Sequence, residues 1–417
     1  MKRLFFALAA AAFLSLIPLA AAADWPEFRG PTAQGVYADG PLPTEWGETK
    51  NVAWKQALPG KGWSSPVTAD GRIYLTAAVP VEGGKPDELS LQALCLNGDK
   101  GTLRWAKEVF REGPSAPKPH SKNSHASPTP LVRGGRLYVH FGHMGTACLD
   151  LDGNVLWRNN DLHYAPRHGN GGTPVLVDDA LIFSCDGSDK RFVVALDCRD
   201  GHVLWKKDRT EHPQNGFSFG TPLVIEVAGR KQVVSTGSNV VAAYDPKTGD
   251  EIWRVRYDGY SVVPRPVYGD GLVFLSTGFD SPKLLAIRPD GAGDVTDTHV
   301  AWTSNKNAPN SPSPLLLGDE LYTVSDAGIL TCLDAKTGTE HWHERIGGQY
   351  SASPIAADGK LYFLSEEGLG VVVQADKDKF RLVAKNPLNE KTLASYGVLD
   401  GDLLIRTETS LYRIKGR

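Results

Sequence analysis

The sequence predicts an all-β fold: an eight-bladed β-propeller whose ring is closed by an N-terminal strand. Three observations predict it. Tryptophans recur at near-even spacing, a proline-led strand start recurs with them, and the chain is rich in turn formers, with 44 Gly and 28 Pro. Trp54, Trp105, Trp157, Trp205, Trp253, Trp302 and Trp342 stand 51, 52, 48, 48, 49 and 40 residues apart. That period is the length of one four-stranded propeller blade.

The outer half of each repeat reads as strand, turn and strand. Gly101 precedes Trp105 by four residues, and Gly153, Gly201, Gly249 and Gly338 stand in the same relation to Trp157, Trp205, Trp253 and Trp342. Upstream come a small residue, an apolar one and an acid or amide, as in Cys95-Leu96-Asn97, Cys148-Leu149-Asp150 and Ala195-Leu196-Asp197. These are hairpins with turn-tolerant residues at the tip.

The inner half is as regular. Pro66 precedes the turn Asp70-Gly71 and the strand Ile73-Tyr74-Leu75. Pro130, Pro174, Pro266, Pro314 and Pro354 keep that spacing, Pro222 opens a longer hairpin, and Tyr396 replaces Pro in the last repeat. Proline cannot donate to a ladder, so it belongs at the first residue of an edge strand. The strand lining a propeller's central channel is such an edge, and eight starts give eight blades. The last repeat has only three strands of its own. Asn51-Val52-Ala53-Trp54-Lys55 is expected to supply the fourth, which removes the open edge.

Before the ring lie two segments. Residues 1–23, with Lys2-Arg3 ahead of an apolar run and a small-residue end, read as a signal peptide, so an exported protein, periplasmic or extracellular, is expected. Residues 24–50 read as an N-terminal arm, and 51–417 as one propeller domain. Without residues 1–23 the chain has 43 basic against 48 acidic side chains and no long charge run. This argues against nucleic acid as a partner. No later segment is apolar enough for an integral membrane span.

The repeats resemble the tryptophan-docking repeats of the quinoprotein-like superfamily, which includes quinone-dependent alcohol dehydrogenases and the assembly factor BamB. Trp25-Pro26-Glu27-Phe28-Arg29-Gly30-Pro31 and Leu42-Pro43-x-x-Trp46 resemble a narrower family of secreted PQQ-binding-like β-propeller repeat proteins. The resemblance implies that each Trp packs one blade on the next, and it implies core positions for them. Dehydrogenases of this superfamily carry adjacent half-cystines beside the quinone, a calcium ion and an Asp base. This sequence has no adjacent Cys pair, and Cys95, Cys148 and Cys332 occupy a repeat position that is Ala in other blades. That is a packing position, so neither pyrroloquinoline quinone nor calcium is expected as cofactor.

Two enlarged connections, 106–126 and 158–171, join an outer strand to the next inner one, so both are expected on one face of the ring. They carry the ligand-binding candidates His120, Lys122, Asn123, His125, His163, Arg167, His168 and Asn170. One reading is an anion or metal site built of imidazole and cationic groups. The other is a solvated loop whose histidines bond to backbone carbonyls. No zinc-motif spacing is present, and no metal ligand or catalytic residue is assigned. Asp290-Gly291-Ala292-Gly293-Asp294 reads as an Asp/Gly-rich turn. The functional expectation is a non-catalytic scaffold holding a protein or polysaccharide partner at the funnel face. A hydrolase or lyase with a His/Arg site at the channel mouth is the alternative, and a quinone-dependent dehydrogenase stands behind it.

Overall fold

Each inner strand begins where proline ends the need for a backbone donor. In the computed structural model, which describes residues 24–211 and 213–416, the strand after Pro66 is Val67–Ala69. It turns at Asp70-Gly71, both with positive φ (50° and 68°), into Arg72–Pro80. Leu89–Asn97 and Leu103–Glu112 complete blade 1 as an antiparallel meander. The plan repeats, and the described strands form eight sheets. Blade 8 takes its outer strand from the start of the chain: Val52–Ala57 pairs antiparallel with Ser410–Ile414, as expected. The signal-peptide reading falls on residues outside those described. No helix among the described residues is long and apolar enough to cross a membrane.

The hydrophobic core is divided among the blade junctions. Eight buried clusters each join two successive blades, such as Tyr74 and Leu91 of blade 1 with Leu137 and Leu149 of blade 2. The tryptophans seal the junctions from outside. A bulge stands beside each one, for example between Cys95 and Leu96 opposite Trp105. Such a bulge adds local twist to the outer strand. Cys95, Cys148 and Cys332 each lie directly across from a Trp and are buried free thiols.

Six of the seven docking indoles donate to a carbonyl in the outer hairpin of the next blade. Trp54 Nε1 donates to Gly98 O at 2.9 Å, and Trp157 Nε1 to Cys198 O at 3.1 Å. A Cβ on Gly101 or Gly201 would fall 2.6 or 2.5 Å from that indole, and both glycines have positive φ, so only glycine fits. The core expectation is corrected in degree. Trp157, Trp205 and Trp253 are buried, whereas Trp54, Trp105, Trp302 and Trp342 are half-buried, because their outer edge is left to solvent.

The arm does more than lead into the closing strand: it plugs the channel. Trp25 is fully buried, its N–H donates to Thr68 Oγ1 and its carbonyl accepts from Thr68 N in blade 1. Pro26 O accepts from Val132 N in blade 2. Glu27 then lies 3.5 Å from Arg133 and 3.5 Å from Arg265 of blade 5, and Arg265 also donates to Phe28 O at 2.8 Å. Arg29 reaches Pro354 O, and Val36–Tyr37 adds a parallel strand to Ile355–Ala357 of blade 7. Gly30 is needed here, since a Cβ would meet Trp25 at 2.4 Å. Farther on, Trp46 packs on Gly370 and Tyr396 at the junction of blades 7 and 8. The outer strand of blade 7 has Ala384 where other blades carry Trp.

Candidate functional site

The residue before each inner-strand proline decides the channel wall. Those residues are Ser65, Thr129, Thr173, Thr221, Arg265, Ser313 and Ser353, with Ser395 before Tyr396. Ser65 N donates to Thr129 Oγ1, Thr129 N to Thr173 Oγ1 and Thr173 N to Thr221 Oγ1, each at 3.0 Å. The series resumes with Arg265 N to Ser313 Oγ, Ser313 N to Ser353 Oγ, Ser353 N to Ser395 Oγ and Ser395 N to Ser65 Oγ. A ring of hydroxyls thus stitches blade to blade about the axis. It was legible in the sequence as a Ser or Thr before six of the seven prolines, Arg265 standing before the other, but the prolines alone do not single it out.

Above this ring opens a funnel of about 550 Å³, with Phe28 of the arm at its base. The seven hydroxyl residues line it. Of the candidate residues, five line it as well: His120, Lys122, Asn123, Arg167 and His168. The two enlarged connections meet there as expected. His120 N and Asn123 Nδ2 both donate to His168 O, at 3.1 and 2.9 Å, and the two imidazoles pack edge to face. Lys122 reaches the far wall, where its Nζ lies 2.8 Å from Glu366 of blade 7. Burial, then the charges of His120 and Arg167, lowers the pKa of His168, which favours its neutral form.

Three candidates are corrected. His125 turns away from the funnel, with Nδ1 2.6 Å from Glu112, a carboxylate that is 2% exposed. Asn170 is buried behind the wall, where its Oδ1 accepts from Tyr164 OH and its Nδ2 lies 3.2 Å from His143 Nδ1. His163 is exposed and offers its carbonyl to Lys190. The first connection is also shorter than expected. The outer strand of blade 1 runs to Glu112, so Arg111 sits on a strand, paired with Glu88 and Glu108.

Glu112, His125, His143 and Asn170 form a polar wedge that ties both connections to blades 1 and 2. Burial alone would raise the Glu112 carboxyl, but the two imidazoles outweigh it and hold it down to about 2. Nearby, burial pushes the His140 imidazole down to about 3, and its Nδ1 stays 2.8 Å from Thr146 Oγ1. This wedge supports the funnel wall and does not open into it.

The other wall is aromatic, and the sequence reading did not find it. His168 packs on Phe217 (5.2 Å between centroids), Phe217 on Tyr260 (5.8 Å) and Tyr260 on Phe279 (5.9 Å). The Arg167 guanidinium stands 5.3 Å over the Phe217 ring. Phe279 remains 53% exposed and Val263 39%. The signal was Phe217-Ser-Phe219, whose second Phe stands two residues before Thr221.

Residues 35–187, 88–216, 189–312 and 291–384 match the family described as outer membrane protein assembly factor BamB. The chain belongs to this family. BamB from Burkholderia pseudomallei (strain K96243) is 36% identical over 69 residues, which is 16% of this chain. That match spans 18% of the relative's length. BamB from Moraxella catarrhalis superposes with a TM-score of 0.59 at 14% identity, over 87% of this chain and 99% of that one. Quinohemoprotein alcohol dehydrogenase ADHIIG from Pseudomonas putida HK5 gives 0.65 at 11% identity, over 94% and 81%. At such identities the two structures share the fold alone.

The funnel's donor set does not fit the dehydrogenase cofactors. All five cysteines are buried and none lines the funnel. The one carboxylate among its lining residues, Asp326, accepts from Asn310 N and Ser311 Oγ. A hard dication needs several oxygen ligands. Among the described residues the metal-like grouping is Asp197, Asp200 and His202. It lies on an outer hairpin of blade 3, where Asp197 already pairs with Arg199.

Proposed function

We propose that this protein is an exported, non-catalytic scaffold that captures a partner of the cell envelope in its funnel, without a quinone or calcium cofactor. The observation that carries the reading is an aromatic arc over a closed-floored funnel, anchored by buried Phe217 and ending in exposed Phe279. Exposed aromatic surface in a preformed concavity is what a receptor keeps ready for a ligand. The polar groups of the wall support this, because most are engaged with one another: Asn123 with His168, Lys122 with Glu366, Asp326 with Ser311. The hydrolase or lyase alternative, a His/Arg site at the channel mouth, keeps His120, His168 and Arg167 there but loses His125, which Glu112 holds behind the wall. The name of the relatives, outer membrane protein assembly factor, supports a partner in the envelope.

A photo-activated cross-linker placed at Phe279 in living cells is expected to give a discrete adduct. The same group at Leu103, exposed on the outer strand of blade 1, is expected to give none. Equal labelling at both sites, or none at Phe279, overturns the reading. The purified protein is also expected to stay silent in a redox-dye assay with added quinone and Ca²⁺.

A further inference from the structure

We infer that the funnel takes the end of an acidic oligosaccharide, a pyranose chain bearing carboxylate or sulfate. The inference rests on the reading of the funnel as a receptor and names its ligand. Three features of the wall converge on it.

The first is what the base of the funnel lacks. Seven backbone N–H groups at the ring are already donated to neighbouring hydroxyls, and the next residue of the chain is Pro in all but the last repeat. An extended peptide binds a sheet by pairing its backbone with a free edge. These inner strands offer no free donor at that point. The hydroxyls are a different matter. Each has one lone pair occupied by a backbone N–H, which leaves the O–H to donate and a second lone pair to accept, apart from Ser353, which donates to Ser313, and Ser313, whose oxygen accepts twice. A ring of groups that both donate and accept suits a ligand whose own groups do the same, as sugar hydroxyls do.

The second is the aromatic arc. A pyranose presents axial C–H groups on its faces, and these pack on aromatic rings as other apolar surface does. Tyr260 and Phe279 are held rigidly for this: Phe279 N donates to Tyr260 O at 2.8 Å in an isolated bridge.

The third is charge. Lys122 is matched by Glu366, and Asp326 is held by Ser311 and Asn310. Arg167 is exposed and has no carboxylate partner among the described residues; its neighbour is the Phe217 ring. Among the described residues Asp326 has no cationic partner, but its oxygens are engaged by Ser311 and Asn310, so Arg167, beside the imidazoles of His168 and His120, is the lining charge left open to a ligand. It suits a carboxylate or sulfate on the sugar that stacks next to it.

The test is calorimetric titration of the full mature protein with four probes: trigalacturonate, a sulfated carrageenan tetrasaccharide, cellotriose and tetraglutamate. One or both acidic saccharides are expected to bind at least about tenfold more tightly than cellotriose. Which of the two binds separates carboxylate from sulfate. Phe279→Ala and Arg167→Met are each expected to weaken binding about tenfold or more while leaving the melting temperature unchanged, since both side chains are exposed. No saccharide binding, equal binding of cellotriose, or unchanged affinity in both variants overturns the inference. Binding of tetraglutamate alone also overturns it and makes the ligand an acidic peptide. A discrete adduct at Phe279 with no saccharide binding removes the saccharide and keeps the receptor; loss of both removes both.

Discussion

The junction between blades 4 and 5 differs at both ends from the six others that dock a tryptophan. At the outside, Trp302 donates to Ala335 O in the next blade, and Trp205 to Pro246 O. Trp253 instead donates to Gln232 of its own blade, at 2.7 Å, and is fully buried. The cause is the lengthened outer hairpin of blade 5. Its Gly293–Asp294 adds a parallel strand to Glu251–Arg256 of blade 4 and covers the indole. The Asp/Gly-rich stretch is thus an interlocking strand and turn. At the axis, Arg265 stands where the other blades have a hydroxyl, and the ring of N–H to hydroxyl bonds stops at Thr221. The departure from the repeat has a use. Arg265 grips Glu27 and Phe28, which places the floor of the funnel, and the preceding loop carries Tyr260. A repeat makes a symmetric channel; the broken repeat makes a site.

The sharpest way to break this comparison is Arg265→Ser. It restores the hydroxyl of the pattern, so a view in which the ring matters most predicts stabilisation. The expected result is the reverse. Glu27 is 7% exposed and would lose the guanidinium that faces it, while Phe28 O loses its donor. Removing one partner of a buried ion pair costs about 3–5 kcal/mol. Chemical denaturation measures it, and Glu27→Gln combined with Arg265→Ser should recover part of the loss. A variant as stable as the parent would mean that the arm is held by its other contacts, the buried tryptophans and the Val36–Tyr37 strand among them, without Arg265.

At the outer end the same contrast is read by truncating two tryptophans. Trp253→Ala is expected to cost about 3–5 kcal/mol, the range for a fully buried large aromatic. Trp302→Ala, at a regular junction where the indole is half-buried, is expected to cost about 2 kcal/mol, because less area returns to water. Equal costs would show that the covering strand at Gly293–Asp294 adds nothing to the docking of Trp253.

How much of this was legible follows from what repeats. The blade count, the proline-led inner strands and the closure by Val52–Ala57 are each written several times along the chain or required by the ring, and periodicity finds such things. The hydroxyl ring was written six times beside the prolines and once before Tyr396, and needed only an alignment of the repeats. The path of the arm was not legible. Its contacts, such as Glu27 with Arg265 and Trp46 with Gly370, occur once each between residues more than 200 positions apart. The site was half legible for the same reason. Loop length brought His120, Lys122, Asn123, Arg167 and His168 to one rim. It did not tell which way His125 turns, because Glu112 behind the wall decides that. Phe217, Tyr260 and Phe279 come from three separate connections, and beyond the Phe217-Ser-Phe219 pair nothing in the sequence links them.

The smallest expected effect tests the regular side of the comparison. Thr129→Val keeps the shape of the side chain and removes the hydroxyl, which leaves Ser65 N–H without its acceptor in a buried wall. An unmet buried donor costs about 1–3 kcal/mol, and the regular packing on either side favours the lower end. Thr129→Ser supplies the control, since it returns the acceptor while removing a methyl group. If the valine variant is destabilised by about 1 kcal/mol and the serine variant by less, the ring is a set of separate stitches, each modest, that together fix the axis. If valine costs nothing, the ring orders donors for a ligand without holding the blades, and Thr129→Val should then weaken ligand binding at unchanged stability. The two outcomes assign the hydroxyls either to the fold or to the site. Arg265, which belongs to both, is where that distinction is lost.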